Sequence, residues 1–537
     1  MLGEIRRSDG ADRTHGEHHD VALSMVRRMP EPFGDDVMMS VGPLDADTAA
    51  ALEHHARRGG SVLIAPSPND PTASRLTGVC VERTLPCTEW FITLADHPAA
   101  TRLDGEVPVT SALHPLRPVS EDVVIAATSS IRFVHEPVIA VRRVGEGHVV
   151  SSGVGDLDAL ARHATLGTFV RRLLRPGTPT RSSDLGVGVV GYGPFGGMGH
   201  LHGLAATETD GLTIVAAADS APERLDAARH DFPDLVAHDD AASLAADPAV
   251  DVAIIATPPV HHAGIALELL RAGKHVVIEK PMCLDPADAD EIIATAAAHD
   301  RTVTVHQSRR WDRDWLALRR IVGNGEIGDV FNVETFVGGF EHPCRAWHSE
   351  DSISGGAVYD WGSHHVDWII QLYGSAPRRV LCSTHTRVWH DSSNVDQLSL
   401  WMQWSDGREA TFRQSDVCAI RRPKFHVEGT RGTVAGHYRP LRTDRVVPGR
   451  GHVEELSHHA EAPVDLTVAT YEGGVGIREA VVGPAPHPGW GFHRNLADHL
   501  LLGEPLAVRP EQSRDVVAVL HAAHRSGLRG GEPIDLD

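Results

Sequence analysis

The sequence predicts a chain of the α/β class with three folded parts in succession: an α/β domain, a doubly wound parallel sheet, and an α+β domain with a large, mostly antiparallel open sheet. Short apolar segments alternate with helical segments twice along the chain, which indicates two separate sets of βα units. After about residue 311 the strand-like segments instead alternate polar and apolar residues, a pattern typical of antiparallel sheets with one solvated face.

Length and composition limit the classes of function. A chain of 537 residues with 42% hydrophobic residues can form two or three domains, each with its own core. Its formal net charge of −22 argues against nucleic acid or an anionic membrane as the main partner. No apolar run approaches the roughly 18 residues of a membrane span, and the N-terminal residues lack the apolar core of a signal peptide. We therefore expect a cytoplasmic protein that binds neither nucleic acid nor membrane.

The spacing of cysteine and histidine does not predict a metal centre. The six cysteines are scattered without a Cys-x-x-Cys pair, so neither a zinc knuckle nor a disulfide framework is indicated. The chain has 35 histidines, but no His-Glu-x-x-His or comparable ligand spacing occurs. We expect no bound metal, and we interpret most histidines as surface or ordinary pocket residues.

The first part of the chain is expected to be a compact α/β domain over residues 36–174. Residues 1–35 are polar and are expected to be disordered or to form a partial first unit. The expected elements are a strand from Asp36, a helix over 44–58, a strand over 61–65, a hairpin over 138–152 and a helix over 165–174. Residues 175–184, rich in Pro, Gly, Ser and Thr, have the composition of a linker.

Residues 185–310 repeat short βα units, and residues 311–537 form the third part. In the second part we expect helices opening near Pro222, His262 and Pro286, and strands at 185–190, 213–218, 252–256, 275–278 and 302–306. The continuous apolar run at 252–256 is typical of a strand buried on both faces of a parallel sheet. In the third part we expect a last helix at 511–525 and strands at 330–336, 397–404 and 409–413.

A glycine-rich loop follows the first strand of the second part. Gly191, Gly193 and Gly196 have the spacing of a dinucleotide fingerprint, which provides a tight turn, close backbone approach to a pyrophosphate, and close helix–strand packing. Asp219 ends the next strand, where a carboxylate can bind both ribose hydroxyls and would repel a 2′-phosphate. We therefore predict NAD as the cofactor, with NADP less suited. The alternative interpretation is a glycine-rich turn beside a surface aspartate.

Lysine is rare in this chain. Of its 50 lysine and arginine residues only three are lysine, and one of them, Lys280, stands in the run His-Val-Val-Ile-Glu-Lys-Pro after an apolar strand. Arginine cannot lose its proton near neutrality, whereas a desolvated lysine can. A lysine kept here indicates that its chemistry, and not only its charge, is needed. The alternative is that one of three lysines falls at a strand end by chance.

A second polar group of residues follows Gly355-Gly356. Asp360, His364 and Asp367 are spaced i, i+4 and i+7, so a single helix would place them on one face. A carboxylate one turn from an imidazole can orient it and support its charged form, as a base that removes a hydroxyl proton requires. The alternative is a helix cap with two buried polar residues.

Together these motifs resemble the Gfo/Idh/MocA family of nicotinamide-dependent oxidoreductases. The resemblance runs from about residue 185 to the C-terminus and includes the glycine loop, Asp219, Ala256-Thr257-Pro258 with His262, Glu279-Lys280-Pro281, Gly355-Gly356, Asp360 and His364. It implies a Rossmann domain followed by an α/β domain whose open sheet mediates oligomerisation, as a homodimer or homotetramer. The usual substrates of the family are sugars, inositols and related polyols.

The resemblance also implies roles for individual residues. Lys280, Asp360 and His364 would be catalytic, and they would bind the substrate together with Arg309 and Trp347. The residues expected to bind the cofactor are Gly191, Gly193, Pro194, Phe195, Gly196, Asp219, Thr257, Pro258, His262, Glu279 and Lys280.

The first part of the chain resembles the ThuA-like branch of the class I glutamine amidotransferase fold, so a flavodoxin-like or amidotransferase-like domain is expected there. The matching features are a helix closed by Gly59-Gly60, the run Leu76-Thr-Gly-Val79 and the run Gly145-Glu-Gly-His-Val149. No Gly-x-Cys-x-Gly elbow occurs, and Cys80 and Cys87 lack that setting, so we expect no glutaminase activity.

We expect the chain to transfer a hydride between NAD and a secondary alcohol or ketone of a sugar, inositol or related polyol, and thus to form or use a keto sugar. His364, held by Asp360, would take the hydroxyl proton while Lys280 stabilises the oxygen, although lysine is the more direct acid–base in some family members. Two alternatives remain open. One is redox-neutral epimerisation or glycoside cleavage with tightly held NAD, and the other is a non-catalytic protein that binds NAD or a sugar and regulates a partner.

Overall fold

The computed structural model describes most of the chain, in two compact units formed by residues 1–179 and 180–537. The described residues are 25–28, 37–86, 90–95, 97–100, 103, 106–109, 112–130, 135–157, 160, 163–174, 184–193, 197–343, 350–438, 463–485 and 489–536. No helix within these ranges has both the length and the apolar character needed to cross a bilayer.

The first unit is built on an eight-stranded mixed sheet. Its strands lie in the order β1-β2-β3-β10-β9-β8-β5-β6, with β2, β3 and β10 mutually parallel and the other neighbours antiparallel. Strands β4 and β7 form a separate antiparallel pair. The bounds are β1 Met25–Arg28, β2 Val37–Val41, β3 Ser61–Ala65, β4 Val79–Val81, β5 Trp90–Leu94, β6 Glu106–Val109, β7 Leu116–Pro118, β8 Val123–Ser130, β9 Pro137–Val144 and β10 Gly147–Ser152.

The helices of the first unit are Ala46–Arg57, Pro71–Thr77 and Ala164–Leu174, with a 3₁₀ turn at Pro98–Ala100. The predicted first helix, the strand β3, the hairpin β9–β10 and the last helix are confirmed within one or two residues. The prediction missed the helix Pro71–Thr77, which Asp70 caps by accepting the backbone N–H groups of Thr72 and Ala73. It also missed β4 to β8, of which β5, β6 and β8 belong to the antiparallel half of the eight-stranded sheet.

The second unit contains a six-stranded sheet in which every pair is parallel, as predicted. Its order is β13-β12-β11-β14-β15-β16, and the order reverses between β11 and β14, where doubly wound sheets open a ligand crevice. The strands are β11 Leu185–Val190, β12 Leu212–Ala218, β13 Val236–His238, β14 Val252–Ile255, β15 His275–Ile278 and β16 Val303–Val305. The helices are Met198–Glu208, Pro222–Asp231, Ala241–Ala246, His262–Arg271 and Pro286–Ala298, with 3₁₀ turns at Pro259–His261 and Ser308–Trp311.

The core of the parallel sheet extends beyond the segment expected to form it. Phe492 and Leu496, on a helix near the C-terminus, belong to the same buried cluster as Val187 and Ile254 of the central strands. Val517, from the last helix, joins this cluster as well. Residues 185–310 therefore do not enclose their core alone, because the C-terminal segment returns to pack against them.

The other sheet of the second unit has nine strands and is mostly antiparallel, as predicted. Its order is β24-β23-β22-β21-β17-β20-β19-β18-β25, and β17 and β20 are the parallel pair among these strands. The strands are β17 Val330–Gly338, β18 Arg379–His385, β19 Gln397–Gln403, β20 Glu409–Ser415, β21 Phe425–Gly429, β22 Gly432–His437, β23 Asp465–Glu472, β24 Gly476–Val482 and β25 Ile534–Asp535. The accompanying helices are Arg313–Gly323, Asp351–Ser354, Ala357–Asp360, Gly362–Tyr373, Gly491–Leu502 and Pro510–Leu528.

The hairpin β23–β24 forms one edge of this sheet and carries exposed apolar side chains. Tyr471, Ile477 and Val481 are all more than half exposed. A surface of this kind is typical of a protein interface. The homodimer or homotetramer implied by the family resemblance stays a prediction.

The two lysines other than Lys280 hold the second unit together. Lys424 is buried, and its Nζ lies 2.7 Å from Asp314 Oδ2, which also accepts the backbone N–H of Val464 at 3.0 Å. Lys274 is half-buried and donates to the backbone carbonyl oxygens of Asp247 and Val250, each at 2.8 Å. Each of these two lysines makes specific hydrogen bonds. Two of the three lysines in the chain therefore have structural roles.

Replacement of Lys424 tests this structural role. Lys424→Met leaves the Asp314 carboxylate buried without its charged partner, and removing one member of a buried pair costs about 3–5 kcal/mol. We expect the free energy of unfolding of the second unit to fall by that amount in denaturant titrations. The control is Lys274→Met, which frees only neutral carbonyls and should cost about 1–3 kcal/mol. Equal losses for the two variants would contradict the assignment.

Candidate active site

The glycine loop lies at the carboxyl end of β11, at the point where the strand order reverses. Gly191 has φ +87°, and a Cβ atom on it would lie 2.8 Å from Thr257 Cγ2 and 2.9 Å from the Thr257 backbone nitrogen, so no side chain fits there. Gly193 has φ +70°, and its N–H donates to Asp219 Oδ2 at 3.2 Å. Asp219, at the end of β12, is thus placed beside the loop. Pro194, Phe195 and Gly196 lie outside the described residues.

These residues fit a bound dinucleotide. The helix Met198–Glu208 begins directly after the loop, so its N-terminal N–H groups face the end of the sheet where a pyrophosphate would bind. Thr257 Oγ1 is buried and has no hydrogen-bond partner among the described residues, and Thr257 and Pro258 form the facing loop after β14. A close backbone approach, a helix N-terminus and a hydroxyl without a partner together suit a phosphate-containing ligand.

His262 lies beside the Thr257 loop, and its contact with the cofactor stays a prediction. It is fully buried, and its ring nitrogens lie 2.8 Å from the carbonyl oxygens of Pro281 and Thr257. A neutral imidazole has one N–H, so His262 can donate to one of these two carbonyl oxygens at a time. His262 joins the Thr257 loop to the segment that contains Lys280.

Glu279 is buried and bound by two histidines and a backbone N–H, and its contact with ribose or nicotinamide stays a prediction. Its Oε1 accepts hydrogen bonds from His202 Nε2 at 3.0 Å and His306 Nδ1 at 2.7 Å, and its Oε2 accepts the N–H of Lys280 at 3.1 Å. These two histidines, which also attract it electrostatically, hold the pKa of Glu279 well below its ordinary value even though burial opposes ionisation. Glu279 is a buried, ionised structural carboxylate.

Lys280 and Asp360 form the central ion pair of the site. Lys280 Nζ lies 2.6 Å from Asp360 Oδ1, and the two side chains are 21% and 29% exposed, so solvent reaches both. Lys280 follows β15 of the parallel sheet, and Asp360 ends the short helix Ala357–Asp360 that lies with the other sheet. The pair brings a partly exposed ammonium group to the end of the parallel sheet.

The prediction places Asp360, His364 and Asp367 on one face of a single helix. In the structure these residues lie on two successive helices. Asp360 ends one short helix, and His364 lies in the next, Gly362–Tyr373, after a break at Trp361. Asp360 pairs with Lys280, and His364 Nδ1 has no hydrogen-bond partner among the described residues. The carboxylate of Asp360 is bound by Lys280, a cation supplied by the tertiary fold, and the orientation of His364 by Asp360 stays a prediction.

The environment of His364 keeps its imidazole neutral. Burial, followed by the positive charges of Lys280 and Arg309, holds the pKa of His364 well below its ordinary value. A neutral imidazole has a free lone pair and can accept a proton, whereas a protonated imidazole cannot. The predicted proton acceptor is thus in the form that the role requires, and burial and nearby cations maintain that form against the charge of Glu279.

Asp367 has a structural role. The guanidinium group of Arg310 donates to both of its carboxylate oxygens, at 2.8 and 2.6 Å, and both side chains are buried. Arg310 also donates to Gln512 and to the carbonyl oxygen of Ala507. This pair fixes the helix that carries His364 against the C-terminal segment.

The remaining predicted substrate residues are Arg309 and Trp347. The guanidinium carbon of Arg309 lies 5.0 Å from the ring centre of Trp361, and its Nη1 lies 3.3 Å from Asp312 Oδ2. The positive charge of Arg309 also contributes to the lowered pKa of His364. Trp347 lies outside the described residues.

Asp416 is a nearby titrating group that the sequence did not indicate. It follows β20, and burial, together with the charges of Glu341, Asp396 and Asp360, raises the pKa of Asp416 to about 7. Its sequence context contains no motif, so only its burial among other carboxylates distinguishes it.

Comparisons with known proteins agree with this arrangement. Residues 185–307 match the description "Oxidoreductase family, NAD-binding Rossmann fold", and residues 315–435 match the "GFO/IDH/MocA C-terminal domain". Both matches begin after the first unit, so its likeness to the ThuA-like fold stays a prediction.

Two similar proteins are named as inositol dehydrogenases. The chain is 24% identical over 341 residues to "scyllo-inositol 2-dehydrogenase (NADP(+)) IolW" of Bacillus subtilis, which covers 63% of this chain and 93% of that protein. It is 26% identical over 268 residues to "Inositol 2-dehydrogenase" of Rhizobium meliloti, covering 49% of this chain and 79% of that protein. The 30% identity to "Uncharacterized oxidoreductase YdgJ" of Escherichia coli spans 36% of this chain and about half of that protein, 55%.

Solved structures show the same fold. A putative oxidoreductase yvaA from Bacillus subtilis has a TM-score of 0.56 at 22% identity and covers 66% of this chain and 100% of its own. An aldose-aldose oxidoreductase from Caulobacter crescentus has a TM-score of 0.54 at 19% identity, again over 66% of this chain and 100% of its own. With a Rossmann sheet, a fitting glycine loop and matches to both family domains, residues 185–435 contain the NAD-binding and C-terminal domains of the Gfo/Idh/MocA oxidoreductases.

Proposed function

We propose that this chain is an NAD-dependent dehydrogenase that oxidises a secondary alcohol of a cyclitol or sugar, or reduces the corresponding ketone. The observation that carries the proposal is the Lys280–Asp360 ion pair beside a buried neutral His364, at the carboxyl end of a parallel sheet with a dinucleotide loop. Bound NAD would supply the hydride acceptor. The protein residues then have to bind the alcohol, remove its proton and stabilise the charge on its oxygen.

Lys280 is proposed to bind the reacting oxygen. Its ammonium group is held by Asp360 at one oxygen and stays partly exposed, so it can donate a further hydrogen bond to a substrate. A fixed positive charge stabilises negative charge that develops on the alcohol oxygen in the transition state. Asp360 acts as a positioning residue, because it directs the lysine side chain.

His364 is proposed to accept the hydroxyl proton. A base acts through its unprotonated form, and the lowered pKa of His364 keeps that form available at neutral pH. Once protonated, the imidazole would face the charges of Lys280 and Arg309, so it would release the proton readily to solvent or to the product.

The substrate class rests on relatives as well as on geometry. Two of the similar proteins are named as inositol 2-dehydrogenases, and a cyclitol hydroxyl is the kind of secondary alcohol that Lys280 and His364 can bind. Inositols are therefore the first substrates to test, and hexoses follow.

The preference for NAD rests on Asp219. Its carboxylate lies beside Gly193 N–H at the end of β12, and a negative charge there repels a 2′-phosphate. The relative IolW is named as NADP-linked, so cofactor preference has to be measured for this chain directly.

Replacement of Lys280 tests the proposed site. With inositols and NAD as substrates, Lys280→Met should reduce kcat by about 10²–10⁴-fold, the usual range for a lost acid–base or charge-stabilising group, while NAD affinity stays within a few-fold. Turnover is read as NADH absorbance in the near ultraviolet, and NAD affinity by calorimetry. Turnover like that of the wild type would exclude Lys280 from the chemistry.

The matched control is a double-mutant cycle. Asp360→Asn removes the charge that directs Lys280, so the double variant should lose little more than Lys280→Met alone. Additive losses would show that the two residues act separately. Substrate conversion without net NADH would instead indicate the redox-neutral reaction.

The pH dependence tests the role of His364. Because the pKa of His364 is lowered, its neutral form persists as pH falls through the ordinary value of 6.5 and is lost only at lower pH. We expect the acid limb of kcat for alcohol oxidation to lie below pH 6.5 and to disappear in His364→Asn. The profile is measured in an Asp416→Asn background, because burial raises the pKa of Asp416 to about 7. A His364-dependent limb above pH 6.5 would contradict the assignment.

Replacement of Asp219 tests the cofactor preference. Asp219→Asn keeps the size of the side chain and removes its charge, so the ratio of kcat/KM for NADP to that for NAD should rise by about tenfold, which corresponds to roughly 1.4 kcal/mol of lost repulsion. The wild-type chain should prefer NAD in the same assay. A wild-type preference for NADP, or an unchanged ratio in the variant, would refute the role of Asp219.

A further inference from the structure

A buried group of three histidines and one glutamate lies next to the end of β15, which Lys280 follows. His202 comes from the helix Met198–Glu208, His306 follows β16, and His493 comes from the helix Gly491–Leu502. Glu279 follows β15, and all four side chains are buried. We refer to His202, His306, His493 and Glu279 as the histidine cluster.

The hydrogen bonds of the cluster determine which ring nitrogens carry hydrogen. An ionised carboxylate can only accept, so His202 Nε2 and His306 Nδ1, at 3.0 and 2.7 Å from Glu279 Oε1, must each donate to it. The ring nitrogens that do not face Glu279, and that could bind a metal ion, are His202 Nδ1 and His306 Nε2. His202 Nδ1 lies 2.9 Å from His493 Nε2.

The spacing of the rings matches imidazoles that share one metal ion. The ring centres are 4.5 Å apart for His202 and His306, 5.2 Å for His202 and His493, and 5.4 Å for His306 and His493. Three imidazoles bound to one Zn²⁺ at about 2.0–2.1 Å have ring centres roughly 5 Å apart. One nitrogen from each ring can be chosen so that all three lie within 4.8 Å of one another.

The charge state of the cluster also suits a cation. Glu279 supplies a negative charge and orients two of the rings through their other nitrogens. Histidine ligands of metals usually donate their second N–H to a carboxylate in this way.

We propose that the histidine cluster binds one Zn²⁺ through His202 Nδ1, His306 Nε2 and His493 Nε2, with Glu279 as the carboxylate that orients His202 and His306. The protonation change is small, since His493 has only to carry its hydrogen on Nδ1 instead of Nε2. The His202–His493 nitrogen distance of 2.9 Å would then open to the roughly 3–3.5 Å typical of two nitrogens on one Zn²⁺. Water can complete the coordination.

The ion would tie together four segments of the second unit that lie far apart in sequence. It would hold Glu279 through two of its ligands, and thereby fix the backbone that precedes Lys280. This role is independent of the substrate and of the proposed function, because it concerns the stability of the site and not the reaction.

The test is a Zn²⁺ titration of the full chain after removal of metal with a chelator. Bound metal is counted by elemental analysis after gel filtration against a competing chelator, which removes ions from weak surface histidines. We expect one retained Zn²⁺ per chain in the wild type and a higher thermal midpoint with Zn²⁺ than without it. A wild-type chain that retains no Zn²⁺ would overturn the proposal.

The variants locate the ion. His306→Gln and His493→Gln should lose the retained Zn²⁺, and Glu279→Gln should weaken it by about 10–100-fold. The matched control is His499→Gln, which replaces a histidine on the same helix as His493 that bonds to Thr302 and Glu504 instead, and it should keep the ion. Retention in His306→Gln and His493→Gln would place the ion elsewhere and refute the proposal.

A spectroscopic measurement on the wild type covers the case in which these variants fail to fold. Co²⁺ in place of Zn²⁺ should give the intense visible bands of a four- or five-coordinate site with nitrogen ligands. A spectrum equal to that of Co²⁺ in water would exclude a site of this kind.

Discussion

The end of β15 is the constraint on which the rest of the active site depends. Glu279 and Lys280 are adjacent residues directly after β15, but their side chains have different partners. Glu279 is directed into the interior, where His202 and His306 bind it, and Lys280 is directed toward Asp360 and solvent. The buried glutamate therefore anchors the backbone from which the exposed lysine projects.

The electrostatics of the site follow from this placement. With its ammonium group beside Asp360, Lys280 adds to the positive potential that Arg309 exerts on His364, and together with burial this keeps the histidine neutral. The buried Arg310–Asp367 pair holds the helix of His364 in place. His364 and Lys280 thus lie on separate elements. Proton removal is assigned to His364, and charge stabilisation is assigned to Lys280.

Much of the fold was predictable, for identifiable reasons. The strands β11, β14 and β15 are continuous apolar runs followed by glycine or proline signals, and such strands are read directly from sequence. Strands β4 to β8 escaped prediction because they are short or carry polar residues on a partly exposed sheet. Packing of Phe492 and Val517 into the Rossmann core was also unpredictable, because neither residue is near that sheet in sequence.

By itself the sequence determined the dinucleotide loop, the position of Lys280 at a strand end and the nearness of Asp360 to His364 in the chain, because glycine spacing and strand periodicity are local properties. Only the tertiary structure decided that Asp360 pairs with Lys280 and that His262 and Glu279 turn inward. It alone brought His202, His306 and His493 together, across 291 residues between the first and the last. Partners of charged and imidazole groups depend on burial and on distances between remote segments, and no local pattern in the chain encodes those distances.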